Sequence, residues 1–225
     1  MRIGFAIGRL AAAAAGVAAI VGQLLTSLNF WPQQGVTNIA LSVTNFFSFF
    51  TIQSNVAAVF VFLIGAALLA TRKGDDPAWF GILRASVASY MIVTGIVYNL
   101  LLRGIELPQG ATLPWSNEVL HVVIPMAMLL DWLFAPGRVA IPWNKLWIIV
   151  VYPIIWVIYT MVRGPFTQNE VLGQPYWYPY PFLNPNLSAN GYFSVSFYIV
   201  LIAMVILAVG AGVIWISHRK KSLSK

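Results

Sequence analysis

Six stretches of this chain, roughly 5–28, 46–70, 79–102, 115–134, 141–163 and 192–216, each offer about twenty mostly apolar residues, and together they take up most of its 225 positions. The bilayer interior has no water to satisfy free backbone groups, so a run of this length is expected to cross as a helix. Charged residues make up 8% of the sequence and hydrophobic ones 60%, which leaves too little charge to solvate a water-soluble domain. The expected fold is an all-α integral membrane protein, a single six-helix transmembrane domain over 1–225.

The run "VLIAMVILAVGAGVIWI" of the sixth stretch contains no ionisable side chain, whereas the fourth stretch carries His121 and Asp131. Arg2 and Arg9 ahead of an alanine-rich run give the first the look of a signal peptide. Its apolar run is longer than a signal core and other spans follow, so a retained span is expected.

The net charge of +7 is resolved by where the charge lies. Arg2, Arg9, Arg72, Lys73, Arg84, Arg138, Lys145, Arg219, Lys220, Lys221 and Lys225 fall on one side of a six-pass arrangement, and Arg103 and Arg163 on the other. Lysine and arginine gather on the cytoplasmic side of a membrane, so both termini are expected to be cytoplasmic and the chain to reside in the cell (inner) membrane. Nucleic acid is not an expected partner, and no obligate protein partner is inferred. The absence of cysteine excludes disulfides, thiolate catalysis and Cys-ligated metals. Two histidines, one of them in the basic tail, argue against a multi-His metal site, so neither metal nor cofactor is expected.

The inner connections "TRKGDDPA" and "APGRVAIPWNK" read as simple turns. Of the outer connections, 29–45 is long and uncharged, 103–114 is short, and 164–190 is too long for a turn and too rich in proline for a helix. Its aromatic cluster, Tyr176, Trp177, Tyr178, Tyr180 and Phe182, fits either a headgroup belt or a lid over a site.

At the head of the second span, Ser48, Thr51 and Asn55 are spaced i, i+3, i+7 and would share one helical face, with Gln53 pointing elsewhere. Such a stripe serves either as interhelical glue or as part of a site. A partner is available in His121, the only histidine inside a span; ionisable groups at that depth are costly and mark function. Pro125 lacks the N–H that residue 121 would normally bond, so the helix is expected to kink or open there. Counting from the span starts puts Thr51 and His121 roughly 7–9 Å below the outer face, at matching depth. A hydroxyl and an imidazole at one level can act as nucleophile and general base.

Glu118, three residues before His121, either orients the imidazole or favours the helix N-terminus after a Ser116 cap. Asp131, near the inner surface, is expected to pair with Arg84 or Arg138. In the third and fifth spans Tyr90, Thr94, Tyr98, Asn99, Tyr152, Tyr159 and Thr160 either line a shared cavity or join helices. Ser48, Asn55, Glu118, Asn99 and Tyr159 are thus oxyanion or substrate candidates around Thr51 and His121, with Asn55 one turn from the hydroxyl.

The stretches "FFTIQSN", "LHVVIPMAMLLDWLF" and "YPIIWVIYTMVRG" followed by "WYPYPFLNP" resemble the six-pass membrane proteins related to the androgen-induced and androgen-dependent proteins of animals, in particular their bacterial branch. The resemblance runs over essentially the whole chain, in motif order and spacing. It implies an intramembrane threonine hydrolase cleaving fatty acid esters of hydroxy fatty acids or similar acyl esters. The family threonine falls on Thr51 and the family histidine on His121. The surroundings depart from the animal pattern, because "IQSN" after Thr51 belongs to the bacterial branch. Two other readings fit the residues: a small-solute transporter, for which no related halves are visible, and a non-enzymatic scaffold in which Thr51 and His121 stabilise packing.

Overall fold

The computed structural model describes residues 1–105 and 111–219. Lys220, Lys221 and Lys225, counted above among the basic residues of one side, lie outside them, as does part of the 103–114 connection.

Six helices are long and apolar enough to cross a membrane: α1 (Arg2–Gln33), α3 (Phe50–Thr71), α4 (Ala78–Leu102), α5 (Pro114–Phe134), α6 (Trp143–Phe166) and α7 (Tyr192–His218). A shorter apolar helix, α2 (Ile39–Ser48), lies between the first two. The described residues contain no strand, only an isolated bridge between Asn169 and Gln174. The fold is all-α, as the apolar runs require. The 29–45 segment, expected as a connection, is mostly the end of α1 and the body of α2.

One end of the bundle gathers both termini. The Arg2 guanidinium donates to the carbonyls of Arg72 at 2.6 Å and Gly74 at 3.3 Å. Arg138 reaches the Arg219 carbonyl at 3.4 Å, and the His218 imidazole bonds the Ile141 carbonyl at 2.8 Å. At the opposite, loop end, the Gln23 side chain holds the Ala111 carbonyl and the Leu113 N–H, both at 2.9 Å.

Just inside the basic end, charges are buried in a compact network. The Asp131 carboxylate accepts from Arg9 at 2.8 and 3.2 Å and from Arg84 at 2.8 Å, and Asp76 lies 3.3 Å from Arg84. All four side chains are at most 6% exposed, and two cations balance two carboxylates. Removal of ions from water is costly unless each is paired and bonded, and here each is. Arg9 also donates to the Gly65 carbonyl at 2.6 Å; a β-carbon on Gly65 would sit 2.6 Å from the same nitrogen, so only glycine admits it. The expected choice between Arg84 and Arg138 for Asp131 resolves to Arg84, joined by Arg9. Arg138 instead caps the carbonyls of Trp132 and Leu133 at 2.6 and 3.0 Å.

Ser116 is not a cap. Pro114 opens α5, and the Ser116 hydroxyl, fully buried, donates to the Ala19 carbonyl of α1 at 2.7 Å.

The aromatic cluster of the 164–190 connection turns inward: Trp177, Tyr178 and Tyr180 are 3%, 4% and 6% exposed. Phe49 meets Trp177 and Tyr180 edge to face, with centroids 5.5 and 5.6 Å apart. The headgroup-belt expectation therefore fails for these three rings, which pack onto the helices.

Replacing Asp131 with alanine leaves the buried Arg9 without a carboxylate and Arg84 with Asp76 alone, and is expected to destabilise the fold by about 3–5 kcal/mol. A lower thermal unfolding midpoint and a smaller monodisperse fraction in detergent would register the loss.

Candidate active site

The expected continuous span over 46–70 is interrupted at Phe49, whose backbone is extended (φ −66°, ψ 131°). No glycine or proline causes the break; side chains from elsewhere stabilise it. The Ser48 carbonyl turns outward and accepts from the Trp156 indole N–H at 2.9 Å. The Phe47 carbonyl accepts from the Gln53 amide at 2.8 Å, and the Tyr152 hydroxyl donates back to the Gln53 oxygen. Both are carbonyls that a helix end leaves unsatisfied.

The break separates Ser48 from Thr51 and Asn55, so the three do not form one stripe on one helix. Ser48 belongs to α2, where its hydroxyl bonds the Thr44 carbonyl at 2.7 Å and the Tyr159 hydroxyl at 3.0 Å. Thr51 becomes a first-turn residue of α3, and the first intrahelical bond there runs from the Gln53 N–H to the Phe49 carbonyl at 3.1 Å. The Thr51 N–H is therefore available, and it donates to the Tyr180 hydroxyl at 3.2 Å.

α5 opens at His121, where residues Val119–Val123 form a π-turn and the Ile124 N–H bonds back to Val119. In that wider register the Leu120 carbonyl would look for an N–H at position 125, which is a proline. The Asn55 amide supplies the missing donor at 3.1 Å and also donates to the Thr51 carbonyl at 2.9 Å. Both Asn55 donors are thus spent on carbonyls, which leaves none for an oxyanion; its Oδ1 is buried without a partner.

These two irregularities bring the expected pair into contact. Thr51 Oγ1 lies 3.3 Å from His121 Nε2, and the two residues are each 7% exposed. His121 Nδ1 lies 2.9 Å from the Asn117 carbonyl, which can only accept, so Nδ1 carries the proton. In the neutral ring Nε2 is then the acceptor that faces Thr51. The Tyr180 hydroxyl also stands 3.2 Å from Thr51 Oγ1. One direction satisfies every donor: Thr51 N–H to Tyr180 oxygen, Tyr180 O–H to Thr51 Oγ1, Thr51 O–H to His121 Nε2, and His121 Nδ1–H to Asn117.

The Tyr98 ring stacks on the imidazole with centroids 4.0 Å apart, and the Arg103 guanidinium lies over the Tyr98 ring at 5.1 Å from its centroid. Asn117 holds the Tyr98 hydroxyl. Glu118 does not orient His121. Its carboxylate pairs with Arg103 at 2.9 and 3.1 Å on the exposed surface, and Arg103 in turn donates to Asn99 at 2.9 Å. Asn99 is exposed and donates to Gly95 in its own helix, so neither residue reaches the Thr51 hydroxyl. Tyr159, 39% exposed, is occupied by Ser48.

Thr51 opens onto a largely apolar cavity of about 130 Å³, walled by Tyr180, Tyr98, Val93, Ile206 and, toward the membrane-facing surface, Ile154. A cavity of this order takes a slender apolar group. Ile154, which lines it, is 48% exposed, so the cavity wall reaches the outer surface of the bundle.

No family model matches the chain, and no curated protein or solved structure matches it. The residues themselves must carry the reading.

Tyr180 was visible in the sequence only as one aromatic among several. Its distinguishing mark is that proline stands on both sides of it, Pro179 and Pro181, which stiffens the chain that delivers the phenol. The connection carrying it is tied down by Glu170, whose carboxylate accepts from the Thr37 and Asn38 N–H groups at 2.6 and 3.0 Å and from the Thr37 hydroxyl at 3.3 Å.

The Asn38 and Thr37 N–H groups hold the Glu170 carboxyl below its ordinary value of 4.5. A depressed value adds stability above the ordinary value, and that contribution is lost as pH falls through the folded one. Glu170→Gln is expected to speed amide exchange at Thr37, Asn38 and the start of the 164–190 connection at neutral pH. Measured pairwise at each pH, the difference from the parent protein should vanish once the parent's own carboxylate is protonated.

Proposed function

We propose that this protein is an intramembrane lipid ester hydrolase in which Thr51 is the nucleophile and His121 the general base. The observation that carries the reading is the 3.3 Å approach of Thr51 Oγ1 to a His121 Nε2 whose other nitrogen is fixed as a donor, at the wall of an apolar cavity.

The chemistry follows acyl transfer. Nε2 takes the Thr51 proton as Oγ1 attacks the ester carbonyl carbon, and the imidazolium then returns that proton to the departing alcohol. Water repeats the sequence on the acyl-enzyme and releases the acid. The apolar cavity suits the acyl chain, and the resemblance to the bacterial branch of the androgen-induced and androgen-dependent family points to fatty acid esters of hydroxy fatty acids or similar acyl esters. The distribution of Lys and Arg supports placement in the inner membrane with both termini cytoplasmic.

Thr51→Ala and His121→Ala, each purified in detergent, are expected to lose turnover of long-chain acyl esters and covalent labelling by a fluorophosphonate probe, with unfolding midpoints near that of the parent. Turnover retained in either variant would sink the proposal. Loss of folding in both, with no ester cleavage by the parent, would favour the scaffold reading instead.

A further inference from the structure

The geometry points to Tyr180 as a catalytic residue: its phenol O–H and the Thr51 backbone N–H together form the site that receives the oxyanion of the tetrahedral intermediate. This rests on Thr51 acting as the nucleophile.

Hydrolysis of an ester through threonine needs donors aimed at the carbonyl oxygen as it becomes negative, and a continuous helix supplies none. The interruption at Phe49 changes that by releasing the Thr51 N–H, one bond away from the nucleophile's own Cα. α3 continues for 22 residues beyond this point, so its peptide dipoles also favour negative charge at its start. The second donor arrives from a different part of the chain. Tyr180 Oη lies 3.2 Å from the Thr51 nitrogen and 3.2 Å from Thr51 Oγ1, beside both the donor and the attacking atom. Thr51 and Tyr180 line the same cavity, so an acyl ester seated there presents its carbonyl between them.

The Tyr180 oxygen holds the place on the Thr51 N–H that the substrate oxygen takes, and the phenol then turns to donate to that oxygen. Burial pushes the Tyr180 phenol up from its ordinary value of 10.0, so it remains a donor at neutral pH. Its ring is held by Phe49, Trp156 and Phe182, stacked at 5.3 Å on the last.

The step balances as follows. As the Thr51 Oγ1–carbon bond forms, the Oγ1 proton passes to His121 Nε2 and the carbonyl π pair moves onto oxygen, where Tyr180 O–H and Thr51 N–H donate to it. When that pair returns, the carbon–alkoxy bond breaks and the alcohol leaves with the proton from Nε2. Tyr180 donates throughout and loses no proton.

Tyr180→Phe removes one oxygen and keeps the ring. It is expected to lower kcat for a long-chain acyl ester about 10²–10³-fold, the usual loss for one oxyanion donor, with KM within about threefold of the parent. A trifluoromethyl ketone analogue, which forms a tetrahedral adduct on Thr51, should lose affinity in step with kcat/KM, while the unreactive amide analogue should not. A purely structural hydroxyl would move both analogues, or neither, and the unfolding midpoint with them. As a second variant, 3,5-difluorotyrosine at position 180 keeps the shape and strengthens the donor, and should raise kcat severalfold. Unchanged kcat in Tyr180→Phe or in the fluorinated protein, with Thr51→Ala inactive, overturns the role of Tyr180 alone. If Thr51→Ala is as active as the parent, the hydrolase reading itself has failed.

Discussion

The site depends on backbone groups that have lost their helical partners and are held by side chains instead. At Phe49 the carbonyls of Phe47 and Ser48 and the N–H of Thr51 are freed, and each finds a side chain: Gln53, Trp156 and Tyr180. At the π-turn of α5, Pro125 leaves the Leu120 carbonyl without a donor, and Asn55 fills it. Asn55 sits one turn below Thr51 and reaches one residue before His121, so a single amide sets the spacing between the two halves of the pair. An unsatisfied buried carbonyl costs on the order of 1–3 kcal/mol, which makes this bridge hard to loosen. Gly95 completes the approach from α4: a β-carbon there would lie 3.2 Å from Pro125 and 3.5 Å from the His121 carbonyl.

The two ends of the bundle handle polarity differently. At the basic end four charges are buried together and cancel, and their role is to lock α1, α4 and α5. Around Thr51 the groups in contact are hydroxyls, an imidazole and peptide groups. The nearest carboxylate in sequence, Glu118, is turned away to Arg103, and the orienting partner of His121 is a peptide carbonyl. A carbonyl fixes the tautomer as a carboxylate would, but offers a dipole rather than a full charge to an imidazolium. In the proposed mechanism that weaker support leaves more of the reaction to stabilisation of the oxyanion, the role proposed for the freed N–H of Thr51 and the phenol of Tyr180.

The six spans were legible because long apolar runs in a chain so poor in charge leave no other solution. Thr51 and His121 do meet, although the residue count that set them at one level ran from Phe46 through the break at Phe49. What escaped the sequence was tertiary in origin. The break at Phe49 has no local signature, since its partners Trp156 and Tyr180 stand more than a hundred residues downstream. Of the two roles open to Glu118, the one on His121 rested on proximity along a helix, while the cation that takes its carboxylate, Arg103, belongs to another element. Arg9 was counted only among the basic residues of one side for the same reason: the carboxylate that draws it inward, Asp131, is more than a hundred residues away.

The break also bears on the proposed use of a threonine as nucleophile. In a continuous helix a threonine or serine hydroxyl commonly bonds the carbonyl four residues back, as Thr26, Thr44, Thr71, Ser86 and Ser89 do in this protein. A hydroxyl bonded in that way has already committed its proton. For Thr51 the corresponding carbonyl is that of Phe47, which lies beyond the extended residue and is taken by Gln53. The Thr51 proton is left with His121 Nε2 as its acceptor, and the β-branch limits the rotamers through which the hydroxyl could turn away. Under the proposed function the irregular backbone at Phe49 does two things at once: it frees the N–H that an oxyanion would need, and it keeps the proton of the proposed nucleophile out of the helix's own hydrogen bonds.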